Sequence, residues 1–158
     1  MLTPDDLEAW LQAHHVPGEV LRLSQPTPTV AAAAAALGVP PEHILKTIVF
    51  IADGEPLVVI ARGPERIERR ALARALGIGR KRVRTARPDE VLTVTGYPVG
   101  GVPPIGHLRP LPTWIDEQVL AVEQAFAGGG SETAMLRIAP RALLRASRGQ
   151  IATLVRSR

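Results

Sequence analysis

Gly96-Tyr97-Pro98-Val99-Gly100-Gly101-Val102-Pro103-Pro104-Ile105-Gly106-His107 puts four glycines and three prolines into twelve residues. Such a stretch can be neither a helix nor an inner strand, because glycine frees the backbone and proline removes a donor while fixing φ. Apolar periodic segments lie on both sides of it. A rigid loop that exposes its own backbone in mid-chain is costly unless something docks against that backbone. It reads as the floor of an active site, with Lys46 as the charged group that reaches it.

Upstream of the loop, Thr3-Pro4-Asp5-Asp6 opens a helix with an N-cap, a first-turn proline and acids at the positive end, running to about His14. Val20, Leu21 and Leu23 suggest a short strand, and Ser24 to Pro28 a turn-rich connector. Thr29 caps a helix through six alanines to Leu37, stopped by Gly38; alanine is the best helix former and packs closely, so this helix is expected to be buried or half-buried. Ile44 to Ala52 is rich in β-branched residues, Asp53-Gly54 is a hairpin turn, and Pro56 to Ala61 returns. Ile67 to Leu76 is an amphipathic helix with outward arginines, stopped by Gly77, and Pro88 starts a short helix that ends near Gly96.

Downstream, Thr113 to Asp116, Val119 to Phe126 and Met135 to Ile138 read as strands, with Gly128 to Ser131 as a flexible hairpin. Pro140 starts a final helix, and Ile151 to Val155 is expected to complete the sheet. Helices and hairpins mix without regular alternation, so the expected class is α+β with a mixed or mainly antiparallel sheet, in one domain over residues 1–158.

Composition narrows the function. The 46% hydrophobic and 22% charged content is that of a soluble protein, with no apolar run of membrane-span length. No basic start and apolar stretch marks a secretory signal, and there is no cysteine. Thiol nucleophiles, disulfides and cysteine-ligated zinc are thereby removed, and a cytoplasmic location is expected. Net charge is +4, and only Lys46 and Lys81 of the 19 basic residues are lysines. Ten basic residues fall between Arg62 and Arg87, answered there only by Glu65 and Glu68. That run is either a solvated helix face or a phosphate-contacting one. Aromatic residues at 3% do not suggest base-stacking platforms.

Lys46 alternates with Ile48 and Phe50 on one face of its strand, opposite Leu45, Thr47 and Val49. It lies either at a solvated strand end or in a cleft; a compact ammonium in a chain that otherwise uses arginine suits one phosphate or carboxylate. Gly100-Gly101 is either a tight connection or a pair whose N–H groups face a ligand, able to hold an oxyanion. The loop lacks the Lys-Ser/Thr of a P-loop, since His107 follows Gly106, and it lacks dinucleotide-fold spacing. His107 is either incidental or an acid/base or phosphate-binding group. His14, His15 and His43 make poor metal ligands in this spacing, and neither a metal nor another cofactor is expected. Asp116 and Glu117, neighbours on a strand, face opposite sides and suit a structural role.

Taken together, Ile44-Leu45-Lys46-Thr47, Gly96-Tyr97, Gly100-Gly101-x-x-Pro104-x-Gly106 and Leu111-Pro112-Thr113-Trp114-Ile115-Asp116 resemble the YbaK/ProX-type aminoacyl-tRNA deacylases, relatives of the editing domain inserted in bacterial prolyl-tRNA synthetase. The resemblance covers about Thr29 to Val155. It implies an α+β fold with a barrel-like sheet and hydrolysis of the ester joining a wrong amino acid to tRNA, assisted by the tRNA's own ribose hydroxyl and without metal. It implies that Lys46 holds the terminal phosphate or the aminoacyl group. It gives Gly101, with Gly100, the aminoacyl carbonyl, and makes Thr47, Pro104 and Gly106 substrate-binding positions; His107, expected to bind substrate from its place after the last glycine, differs from the residues of several branches of the family. The implied partners are the 3′ acceptor end of aminoacyl-tRNA and a tRNA synthetase, with no membrane and a monomer or dimer. Pro103 stands where many members carry a small polar residue, and with Tyr97 the only tyrosine, the N-terminal tyrosine of the cysteine-editing branch has no counterpart.

Three readings of function follow. The first is a trans-editing hydrolase removing a small amino acid such as Cys, Ala, Ser or Thr from mischarged tRNA. The others are a non-catalytic tRNA- or synthetase-binding module of the same fold, and a small-molecule phosphate binder using the same loop.

Overall fold

Thr3 begins α1 (Pro4–Ala13) with a reciprocal capping box: its hydroxyl accepts from the Asp6 N–H, and the Asp6 carboxylate accepts from the Thr3 N–H. The structure is a computed structural model that describes residues 1–156, so the last two positions of the expected 1–158 domain lie outside the described residues. Leu7 and Leu11 anchor α1 in the core, and β1 (Gly18–Arg22) follows. Thr29 caps α2 (Val30–Leu37) by accepting from the Ala32 N–H, and Gly38 ends it at φ +66. Ala33 and Ala34 are the residues α2 buries, so the alanine run is half-buried as its composition suggests.

β2 (Leu45–Ala52) and β3 (Glu55–Arg62) form the expected hairpin in full register, from Leu45 opposite Arg62 to Ala52 opposite Glu55. Leu57 to Ala61 are all buried, the mark of a central strand covered on both faces. α3 (Arg69–Leu76) begins two residues later than its hydrophobic period suggests, because Ile67 is taken by a bridge to Val155. A 3-10 turn (Arg80–Arg82) leads to β4 (Val83–Thr85), then α4 (Pro88–Thr95), stopped by Gly96 at φ +85.

β5 (Thr113–Asp116) is as expected, but no strand covers Val119 to Phe126. A 3-10 helix (Glu117–Ala121) replaces its first part, and β6 is only Ala125–Gly128. The cause is Asp116, which is fully buried: one carboxylate oxygen accepts from the Gln118 N–H at 3.0 Å and the other from the Leu154 N–H at 2.8 Å. That cap turns the chain out of the sheet. Its role is structural, as its place beside Glu117 suggests. β7 (Ala134–Ile138) and α5 (Pro140–Ser147) follow, and β8 is Gln150–Ala152, shorter than the expected Ile151–Val155.

The class is α+β with mixed pairing, as expected, but the sheet does not close into a barrel. One sheet runs β1-β7-β6 and the other β4-β2-β3-β5-β8, with β3-β5 and β5-β8 parallel. A single parallel bridge, Ile44 to Phe126, joins them. The larger core, around Leu7, Val58, Ile60, Ile115, Leu136 and Leu143, lies between the sheets and helices. A second, with Phe50, Val59 and Leu72, fills the space under α3. Each fully buried aliphatic side chain there contributes roughly 1.5–3 kcal/mol of burial free energy.

Candidate active site

Among the described residues β4 pairs only with Phe50–Ala52, so the Leu45–Val49 half of β2 has β3 on one side and no strand on the other. That free edge opens on a cavity of about 350 Å³ at the seam of the two sheets. Every residue from Ile44 to Val49 lines it. Successive strand residues face opposite ways, so six in a row can share one cavity only if it meets the strand at its edge. This is how Lys46 and Thr47, on opposite faces, come to the same space.

The opposite walls are Val30 and Ala33 of α2, Val91 of α4, Met135 of β7, and Val99, Gly100 and Val102 of the glycine–proline loop. The lining is largely apolar, with a few polar groups, as ligand sites generally are. Three of those polar groups matter. The Thr47 hydroxyl is buried and has no hydrogen-bond partner among the described residues. Strand alternation gives its main-chain groups the same side as the Val49 carbonyl, which accepts from the Ala86 N–H at 2.9 Å. The Lys46 ammonium donates to the Glu65 carbonyl, and burial lowers its pKa below the ordinary lysine value while the Glu65 carboxylate partly restores it. An ammonium has three donors, so two remain for a ligand. Gly100 sits at φ +95, and its N–H has no acceptor among the described residues.

Around Lys46 the support is tight. Glu65 is itself buried and accepts from Arg62 at 2.8 Å, while the Gly63 N–H donates to the Ile44 carbonyl. A Cβ at Gly63 would come within 2.6 Å of Val30, so only glycine lets this segment pass so close to the cavity wall.

The structure thus gathers Lys46, Thr47 and Gly100 around one cavity. Gly101 lies just behind. Its N–H donates to the Pro98 carbonyl at 3.0 Å and its carbonyl accepts from the Gly130 N–H at 2.8 Å, so its backbone already has partners. Pro104, Gly106 and His107 do not line the cavity. Gly106, at φ +78, packs on Leu7 and Trp10 of α1. His107 donates from Nε2 to the Pro103 carbonyl at 2.7 Å, and burial lowers its pKa despite that bond.

Sequence reasoning did not find the Thr27-Pro28-Thr29 wall or the Thr85, Ala86 and Pro88 wall. Threonines alternating with prolines inside a connector were the available signal for the first. Thr85 and Ala86 carried none, since their place depends on β4 pairing across β2.

Comparison with known proteins places the chain among tRNA-editing relatives. The proline–tRNA ligase of Acidithiobacillus ferrooxidans is 32% identical over 103 residues, which are 65% of this chain but only 18% of that enzyme. The chain therefore spans under a fifth of the length of the proline–tRNA ligases it first matches. A candidate Cys-tRNA(Pro)/Cys-tRNA(Cys) deacylase of Enterococcus faecalis, EbsC, is 29% identical over 122 residues, 77% of this chain and 73% of that protein. A solved structure described as a candidate trans-editing enzyme for prolyl-tRNA synthetase superposes with a TM-score of 0.90 at 31% identity, covering 99% of this chain and 100% of that one. The sequence pattern of the aminoacyl-tRNA editing domain matches residues 24–146, from the connector before α2 into α5, and so the chain belongs to the aminoacyl-tRNA editing domain family.

Proposed function

We propose that this protein, acting in the cytoplasm as one editing domain over residues 1–158, hydrolyses the ester between a small amino acid and the 3′ end of a mischarged tRNA. The observation that carries the reading is the set of unsatisfied polar groups around one apolar cavity: the orphaned Thr47 hydroxyl, the free Gly100 N–H and the two spare donors of Lys46. Of these the Thr47 hydroxyl is the buried one, and buried polar groups are rarely left without partners, so it supports a ligand there; the exposed Gly100 N–H and the half-buried Lys46 ammonium are donors open to the same ligand. The aminoacyl side chain enters the apolar pocket, and the Thr47 hydroxyl accepts from its α-ammonium. Lys46 holds the terminal phosphate or the acyl group.

Water attacks the ester carbonyl carbon, with the adjacent ribose hydroxyl of the tRNA orienting it. The carbonyl oxygen becomes an oxyanion facing the Gly100 N–H. The C–O bond to the ribose then breaks, and the ribose oxygen leaves with a proton. Gly101 supports this arrangement by fixing the loop to Gly130, and Pro104, Gly106 and His107 hold the loop's shape. The family resemblance points to Cys, Ala, Ser or Thr as the amino acid removed, and a tRNA synthetase is the natural source of the mischarged substrate. The activities for which two of the relatives are named support the same reading.

The test is deacylation across a full panel of aminoacyl-tRNAs. Release of one or a few small amino acids is expected; no release from any member sinks the reading. A second reading, a tRNA-binding module without cleavage, draws on the Lys46 ammonium being docked on the Glu65 carbonyl. It expects binding with no turnover in the same panel.

A further inference from the structure

The basic run between Arg66 and Arg82 is not absorbed by the cavity. Arg66, Arg69, Arg70, Arg74, Arg80 and Lys81 are all exposed, and none reaches a carboxylate within salt-bridge distance among the described residues. Elsewhere some exposed arginines are paired, Arg22 with Asp5, Arg84 with Glu90, Arg87 with Asp89 and Arg137 with Glu19, while Arg109, Arg141, Arg145 and Arg148 are spread singly or in twos without an ion pair among the described residues, so it is the density of the run that sets it apart. Six neighbouring cations without counter-charge are held together although they repel, and the core does not need them. α3 buries only Leu72 and Ala73; Arg70 and Arg74 are turned away from them, and Arg69, in line with the buried pair, is exposed at the first turn.

Both ends of this basic segment return to the cavity. At the start, Gly63 packs on Val30 of the cavity wall, and the Glu65 carbonyl, one residue before Arg66, takes the Lys46 ammonium. At the end, the 3-10 turn with Arg80 and Lys81 runs through β4 into Thr85 and Ala86, which line the cavity. A polyanion whose end occupies the cavity meets these cations next. Arg70 and Arg74 lie one helical turn apart, about 6 Å along the axis, a span that bridges phosphates of one nucleic-acid strand.

We infer that the Arg66–Lys81 face is a docking surface for the acceptor-stem duplex of the tRNA, contacting its phosphates and reading shape rather than sequence. The inference rests on the deacylase reading of the cavity. It divides the labour: the cavity selects the amino acid, and the basic face supplies affinity for the tRNA body.

The experiment compares the wild type with an Arg69→Gln/Arg70→Gln/Arg74→Gln/Lys81→Gln variant, and with an Arg141→Gln/Arg145→Gln control on the exposed side of α5. Uncharged tRNA binding is measured over a salt series, and ester cleavage on both full aminoacyl-tRNA and a 3′-aminoacyl-CCA trinucleotide. Glutamine keeps helix propensity, and trinucleotide cleavage reports an intact cavity. The expected result is tRNA binding weakened about tenfold or more at low salt, with the log-log salt slope shallower by about three. KM for full aminoacyl-tRNA rises in step, while trinucleotide cleavage and the control are unchanged. Unchanged tRNA affinity and slope, or an equal loss in the α5 control, overturns the inference. If the wild type binds tRNA through this face yet cleaves neither substrate, the docking surface stands and the deacylase reading fails.

Discussion

The two halves of the Gly96–His107 loop look alike in sequence and differ in their surroundings. The front half, Val99 to Val102, faces the cavity across from Lys46 and is pinned from behind where Gly101 meets Gly130. The rear half, Pro103 to His107, faces α1 and is closed on itself by the His107–Pro103 hydrogen bond. Glycine in the front half exposes a donor. Glycine in the rear half, at Gly106, allows close approach to Leu7 and Trp10. The same composition therefore serves chemistry in one place and packing in the other, and only the neighbours distinguish them.

The sharpest way to break this comparison is to remove the group that faces the front half. Lys46→Ala should lower kcat/KM for deacylation by about 100-fold, the scale of losing one preorganised charge donor. Melting temperature should hardly move, because the ammonium is only partly buried. Next is Gly101→Val. Its Cβ would stand 2.7 Å from both the N and Cα of Ser131, so either the loop or the hairpin must shift. Overpacking of this kind costs about 1–3 kcal/mol, and here the displacement is transmitted to Gly100, so deacylation should fall more than stability does. Parallel activity and thermal-melt measurements separate the two losses.

His107→Ala tests the rear half. Loss of its hydrogen bond should cost about 1 kcal/mol of stability, with deacylation per folded molecule unchanged. Because burial lowers the folded His107 pKa below 6.5, protonation favours the unfolded chain. Its stabilising contribution is therefore complete above pH 6.5 and is lost as pH falls through the depressed folded value. The wild-type advantage over His107→Ala in denaturant midpoint should shrink along that range. If Gly101→Val left deacylation intact while His107→Ala abolished it without a change in melting temperature, the division of the loop would be wrong.

The smallest effect is expected at the α4 wall. Glu90 accepts from Arg84 and from the Arg87 N–H, and these bonds hold its carboxyl at about 2, below the ordinary 4.5. The stabilising contribution of Glu90 is present above pH 4.5 and is lost as pH falls toward 2. A Glu90→Gln variant should differ slightly from wild type at neutral pH and converge with it in acid, read by denaturant titration.

Local chemistry was legible wherever the cause is local. Thr3 and Thr29 announce helix starts, and Gly38, Gly77 and Gly96 announce stops through their left-handed angles. Asp53-Gly54 between β-branched runs specifies the β2–β3 hairpin, and with it a lysine and a threonine on a strand. What failed depended on distant partners. The 3-10 helix after β5 is set by Asp116 capping Gln118 while also holding Leu154, 38 residues away. No hydrophobic period records that bond.

By itself, then, the sequence determined the elements, the rigid loop, the lone strand lysine and the density of arginines, because propensity, capping and turn chemistry act over a few residues. The tertiary structure alone decided that β4 stops at Phe50, leaving the lower edge of β2 open, and that two sheets meet at one bridge instead of closing. Those are outcomes of long-range pairing. They create the cavity, bring Lys46, Thr47 and Gly100 to it, and turn His107 away toward the chain's own backbone.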